Sequence, residues 1–346
     1  MDDRDTYCDA LRRAGTDPLG VLRSTATVMA AATEVTIDLD AVATVAGDLA
    51  ASTVSPPGWD AALHHRATGP DGDERTAMWI LVLDALNFCF WGQGSDPGMR
   101  WRVAWGGNLT DGYFALAAAL KRAVAEGVPL HDAAWLNQVD DEDVARLLRP
   151  AQGLPEIPLF AARVSNLREL GRGLLALGDT PATALILAAQ GSATALVGEV
   201  VRRFPSFDDV ATWPGAEVRF YKRAQILAGD LAGGLDGSPL GVFHDLDQLT
   251  AFADYKVPQV LRQLGVLRYS GRLATTIARR ELIAAGSAPE IEIRAATIWG
   301  CELLRQALRE RGRDVPAHAL DWLLWTTGQS LPPDTAPYHR TPTIYY

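Results

Sequence analysis

Apolar residues recur at intervals of three and four along nearly the whole chain, as in PLGVLRSTATVMAAA from Pro18, FALAAALKRAVAEG from Phe114, NLRELGRGLLALG from Asn166 and HALDWLLWTTG from His318. That period lays an apolar stripe along a helix, whereas a half-buried strand needs strict alternation. Alternation is confined to short pieces, chiefly MRWRVAW at residues 99–105, so the expected fold is all-α, mainly helical with at most a small sheet. No βαβ rhythm is present, which excludes doubly wound and barrel architectures. The 346 residues exceed one typical domain, and length alone permits one large domain or two lobes sharing a central cleft. The turn-rich stretches SPPGWD, ATGPDGDE, GQGSDPG and GGLDGSP are too short to act as flexible linkers. The expectation is a single compact helical domain over 1–346, with a bilobal form as its variant.

Charge narrows the partners. A formal net charge of -10 argues against a protein that tracks a nucleic acid polymer, because duplex binding draws on many Lys/Arg–phosphate contacts. A single phosphate needs only one or two cations and stays within reach. Three scattered cysteines, Cys8, Cys89 and Cys301, offer neither a disulfide framework nor a CxxC metal site. With an acidic N-terminus and no long unbroken apolar run, they point to a cytoplasmic protein with no membrane contact. No P-loop, HExxH, GxSxG or dinucleotide fingerprint occurs, and the six histidines form no i,i+4 ligand pair. Neither a metal nor a cofactor is expected, which leaves chemistry by carboxylates, amines and aromatic rings.

Four segments carry such groups among apolar residues. In LDALNFCFW (83–91), read as part of a helix beginning near Thr76, Asp84, Asn87, Phe88 and Trp91 fall at i, i+3, i+4 and i+7. One helical stripe of that kind suits a flat heterocycle that stacks on rings and takes hydrogen bonds at its edge, though plain core packing fits equally well. In RFYKRAQILAGDL (219–231), Lys222, Gln225 and Gly229 share a face and Arg223 and Asp230 share a neighbouring one; the plainer reading is an exposed, salt-bridged helix. PEIEIRAATIWGCELLRQAL, from Pro289, carries Glu292, Arg294 and Glu302, most simply a surface charge pattern. FADYKVPQVL (252–261) sets Asp254, Tyr255 and Lys256 side by side before Pro258, where a polar helix end is the ordinary explanation.

Taken in order, LNFCFW, GYFALAAAL, FPSF, FYKRAQILAGDL, FADYKVPQVLRQLGVLRYS, EIEIRAATIWGCELL and the terminal HRTPTIYY resemble the queuosine salvage protein family, from about Leu83 to Tyr346. Lys256 stands where the family commonly has arginine, and Thr341-Pro342 where it usually has another basic residue. The resemblance implies an all-helical fold similar to the helix-hairpin-helix DNA glycosylases. It implies hydrolysis of queuosine 5'-phosphate, a free nucleotide, into the 7-deazaguanine base queuine and ribose 5-phosphate, with no nucleic acid polymer and no obligate protein partner. By resemblance, Asp254 matches the catalytic carboxylate and Lys222 its partner amine. Asn87, Phe88 and Trp91 are then the candidates for holding the base. Asp84, Asp230 and Glu302 are candidates for its cationic side-chain amine and diol, and Arg223 and Tyr255 for further substrate contacts. Two other readings remain open: a DNA-type base glycosylase, and a helical module that binds queuine or its nucleotide without turning it over.

Overall fold

The structure, a computed structural model, describes residues 3–53, 55, 58–92 and 99–346. Residues 56–57 of SPPGWD and 93–98 of GQGSDPG lie outside it. The described chain is mainly helical, and its strands form three two-stranded antiparallel sheets. Contacts group it into two compact units, one made of Met1–Pro57, Asp209–Lys222 and Asp247–Pro342, the other of Gly58–Asp208, Arg223–Leu246 and Thr343–Tyr346.

The first unit is built on the helix Ala288–Glu310, against which the helices Asp3–Ala14, Val21–Met29, Leu39–Ala51, Val257–Gln263 and Ala317–Gly328 pack. Neighbours on so many sides bury Glu290 through Leu304 without a break. The charges of this helix are therefore not a surface pattern, and each has a partner as burial demands. Glu292 Oε2 accepts the backbone N–H groups of Thr33, Glu34 and Val35 at 3.0, 2.6 and 3.1 Å. Those residues lead into the strand Val35–Ile37, which pairs with Leu267–Tyr269. A hairpin of Val210–Trp213 and Ala216–Arg219 ends just before Lys222.

The second unit centres on the helix Gly72–Ala85, which begins four residues earlier than the sequence suggested and is buried continuously from Thr76 to Ala85. It has no polar face because the helices Gly112–Ala125, Phe160–Leu175 and Pro181–Ala188 pack around it. Glu74, in its first turn, accepts the N–H groups of Ala182 and Thr183 at 3.0 and 2.7 Å, satisfying orphan donors at the start of the 181–188 helix. The strand read at 99–105 is Arg102–Trp105, paired with Asn108–Asp111 across Gly106-Gly107. Both glycines have positive φ, 57° and 81°, as a two-residue hairpin turn requires. No helix among the described residues is long and apolar enough to cross a membrane.

Candidate active site

In the first unit, Asp254 stands at the entry to the short helix Val257–Gln263, which has Pro258 in its first turn. A helix starts here, where the sequence suggested one ending; proline suits a first turn because its missing N–H would lack a helical partner anyway. Asp254 Oδ1 accepts the N–H groups of Lys256 and Val257, both at 2.8 Å. Among the described residues Oδ2 accepts none, and the residue keeps 7% of its surface exposed. One oxygen thus caps a helix while the other stays available. Burial raises the Asp254 carboxyl above the usual aspartate range, against the opposing pull of the Lys222 charge, the two amide bonds and Lys256. The Lys222 charge acts to keep that carboxyl ionised, but desolvation outweighs it.

Lys222 is buried and opens the helix Lys222–Gly234. Its backbone N–H donates to Asp209 Oδ2 at 3.1 Å, directly after Tyr221, whose φ is +50°. Arg294 grips the same Asp209 carboxylate with two bonds of 2.8 and 2.5 Å and donates through Nε to the carbonyl of Ala253 at 3.2 Å. The Phe220 ring lies 3.9 Å from the guanidinium carbon. One buried ion pair therefore ties the backbone at Lys222 to the backbone beside Asp254.

Sequence reasoning missed Asp321. It lies in the helix Ala317–Gly328 next to Leu320 and three residues before Leu324, and is buried with both. Its Oδ1 accepts the N–H of Phe252 at 2.9 Å. Burial, and then the charge of Asp254, push its carboxyl well above the aspartate range, while the Phe252 bond and Lys222 pull it down. A carboxylate interrupting the apolar period of HALDWLLW was the available signal. Tyr255 packs against Tyr338 with ring centroids 4.8 Å apart. Glu302 is already engaged: Arg305 binds both its oxygens at 2.8 Å and Gln306 donates to Oε1 at 2.5 Å. It lines a polar cavity of about 220 Å³ with Thr16, Asp247, Thr250, Arg305 and Arg309.

In the second unit the helical stripe expected from Asp84 to Trp91 does not form. The helix ends at Ala85, Leu86 is its C-cap, and Cys89 has a φ of +44°, so Asn87, Phe88 and Trp91 lie on irregular chain. All four residues are nevertheless buried. Two arginines explain why the helix stops. Arg163 donates to the carbonyls of Leu86, Phe88 (2.6 Å) and Cys89 (3.2 Å). Arg223 donates to those of Asp84 and Ala85 at 3.0 and 2.9 Å and to that of Ser206. Cations at a helix C-terminus satisfy its orphan carbonyls and its dipole. Arg223 is therefore a buried scaffold residue rather than part of an exposed salt-bridged helix. The Phe88 ring, fully buried, carries both guanidinium groups, at 4.2 Å for Arg163 and 5.3 Å for Arg223. Asn87 Nδ2 approaches Asp84 Oδ1 at 3.4 Å.

Asp230 lies two turns along the helix from Arg223; burial, and then the charges of Asp230 and Asp84, push the Tyr113 phenol well above its usual range. Nε2 of His64 lies 2.7 Å from that phenol, while His64 Nδ1 lies 2.8 Å from the carbonyl of Asp60. Trp59 stacks on the His64 ring with centroids 3.7 Å apart. The same indole comes within 3.2 Å of where side chains on Gly233 and Gly234 would begin, so this helix can approach it only with glycine there. His64 and Tyr113 were not singled out from the sequence, because an isolated histidine and an aromatic at helical spacing ordinarily mean core.

Comparison with known proteins agrees with the motif resemblance. A chain named queuosine 5'-phosphate N-glycosylase/hydrolase from Sphaerobacter thermophilus is 54% identical over 330 residues, covering 95% of this chain and 98% of its own. Proteins of the same name from Dictyostelium discoideum and Bos taurus are 38% and 35% identical, covering 79% and 90% of this chain and 79% and 94% of theirs. The model of the queuosine salvage protein family matches residues 64–346. The chain belongs to the queuosine salvage protein family.

Proposed function

We propose that this protein hydrolyses the N-glycosidic bond of queuosine 5'-phosphate, releasing queuine and ribose 5-phosphate in the cytoplasm. The observation that carries the reading is Asp254: a buried carboxylate with one oxygen anchored by two amides and the other open, under the charge of Lys222. Heterolysis leaves the bonding electron pair on the base and positive charge on C1' of the sugar. A fixed carboxylate in a poorly hydrated setting stabilises that charge more than water does. Water then adds its oxygen to C1', and its displaced proton balances the charge on the departing base. Queuine has carbon where guanine has N7, so charge on the leaving base must be spread over the remaining ring edge by donors and stacking. Trp91 and Asn87 are assigned to that work. Asp84 and Asp230 are assigned to the cationic amine, in preference to Glu302, whose oxygens Arg305 and Gln306 already hold. Lys222 supplies positive charge beside Asp254 and suits a phosphate as well.

The test is incubation of the protein with queuosine 5'-phosphate, queuosine and guanosine monophosphate while monitoring free base. Release of queuine from the 5'-phosphate, and its loss in Asp254→Asn, is the expected result. Tight binding without any release would make the protein a carrier. Activity that requires duplex DNA and weakens steeply with salt would make it a DNA glycosylase.

A further inference from the structure

One face of the helix Gly72–Ala85 carries Arg75 and, one turn on, Trp79. Both line a cavity of about 80 Å³ with His65, His131 and an apolar turn at 124–130, all within the second unit. A water takes about 30 Å³ of liquid volume, so the space suits a small polyatomic ion and is too small for a nucleoside. Among the described residues none of the four side chains has a hydrogen-bond partner, and neither Arg75 nor Lys121 is paired with a carboxylate. The acids nearest in sequence are committed elsewhere: Asp73 to Arg66 at 2.8 Å, Glu74 to the amides of Ala182 and Thr183, Asp132 to those of Ala134 and Trp135. Helix capping does not account for the cations either. At the end of the helix Gly112–Ala125, the carbonyls of Ala123 and Val124 accept the N–H groups of Val128 and Gly127 at 2.9 and 3.0 Å. In a chain of net charge -10 the cavity reverses the prevailing sign, offering donors and cations with no carboxylate among its lining.

We propose that this cavity binds a tetrahedral oxyanion, free phosphate or a phosphate monoester group, with Arg75 supplying charge and His65 and His131 further donors. The forked guanidinium matches phosphate oxygens in a way a point charge does not. Burial, and then the charges of Lys121 and Arg75, hold the His65 ring below the usual histidine range. The two charges that disfavour its proton favour an anion, and a bound dianion draws the proton back. Binding therefore takes up a proton at His65. Affinity rises as pH falls from the raised pKa of the complex to the lowered pKa of the free protein, and levels off below that. The groups facing this ring are Arg75, Lys121 from the helix Gly112–Ala125 and His131 in the same lining, whereas the adjacent His64 ring is engaged with Tyr113 and Asp60. None of the residues that carry the inference is among those assigned to the substrate, so it does not rest on the activity proposed above.

Sulfate is the first probe, because it stays doubly charged through the histidine range of about pH 5 to 8. Its titration is followed by the indole ¹H–¹⁵N signal of Trp79 and the ring ¹⁵N shifts of His65. Saturable shifts of both are expected, with affinity rising by up to about tenfold per unit fall in pH. Arg75→Ala should bind about tenfold or more weakly, as loss of a charged donor implies, and His65→Gln should bind with a flattened pH dependence. Arg75 is exposed and His65 half-buried, so both variants should keep the wild-type melting curve. No saturable shift at either residue, unchanged affinity in Arg75→Ala, or the same pH dependence in wild type and His65→Gln overturns the proposal. Competition then identifies the source. Displacement of sulfate by inorganic phosphate alone assigns the cavity to the free ion, and displacement by ribose 5-phosphate as well assigns it to a phosphate monoester; displacement by neither overturns the proposal.

Discussion

Arg294 closes two guanidinium nitrogens on the carboxylate of Asp209 at 2.8 and 2.5 Å, and both side chains are almost wholly buried. The pair does more than satisfy its own charges, because Asp209 holds the N–H of Lys222 and Arg294 the carbonyl of Ala253.

Breaking that pair on one side should therefore cost both stability and rate. An uncompensated buried charge commonly costs about 3–5 kcal/mol. Arg294→Lys keeps the charge but loses the two-pronged grip, so it should melt lower and show a reduced kcat with KM little changed. Thermal melts and steady-state kinetics on Arg294→Lys and Asp209→Asn check this. Wild-type kcat in a destabilised variant would mean the pair serves the fold alone.

Asp254→Asn should fold normally, since the amide oxygen can still accept from Lys256 and Val257. Removing one well-placed electrostatic group costs about a hundredfold or more in turnover. A melting curve paired with single-turnover hydrolysis measures both; near-normal turnover would reduce Asp254 to a helix cap.

His339 is wholly buried, and burial, then the Arg294 charge, holds its pKa at about 3. An unfolded histidine binds its proton near pH 6.5, so below that pH the unfolded chain takes up a proton the native state refuses. Native stability falls as pH drops from about 6.5 towards 3, by up to about 1.4 kcal/mol per unit for one such group. His339→Gln should flatten the plot of Tm against pH over this window. Parallel plots for the two proteins would show that His339 does not supply the slope.

Trp91 and Phe88 should respond differently. Phe88 is a packing residue under two guanidinium groups, so Phe88→Ala should cost about 3–5 kcal/mol of stability. Trp91→Ala should instead weaken queuine binding by about 1–3 kcal/mol, the worth of stacking on a base. Denaturant unfolding and queuine titration of both variants decide between the roles. Unchanged queuine affinity in Trp91→Ala would return that ring to the core.

The helical class was legible because a three-and-four period survives any tertiary context. The site was legible less evenly. Asp254 stood out because a carboxylate, a phenol and an amine interrupt an apolar segment before proline. The stripe from Asp84 to Trp91 was misread because periodicity continues past Ala85, while the capture of the helix's last carbonyls by Arg163 and Arg223, from distant parts of the sequence, does not appear in local spacing. Glu292 and Arg294 resembled a surface pattern for the same reason: their partners, the amides at 33–35 and Asp209, lie more than 80 residues away. Asp321 was overlooked because one aspartate in an amphipathic helix is ordinary until its burial is known.

The division of labour between the two oxygens of Asp254 has a consequence for how this position can change over time. One atom organises the turn before Val257 and, in the role proposed for this residue, its twin is left for chemistry, so two unrelated selective pressures converge on a single side-chain length. Glutamate would carry the charge but overshoot the two amides; asparagine or serine would keep the turn and forfeit the charge. No stepwise exchange relaxes one demand while meeting the other. Drift at 254 is closed off by local architecture as firmly as by the proposed catalysis, and truncation to alanine would conflate the two losses in one measurement.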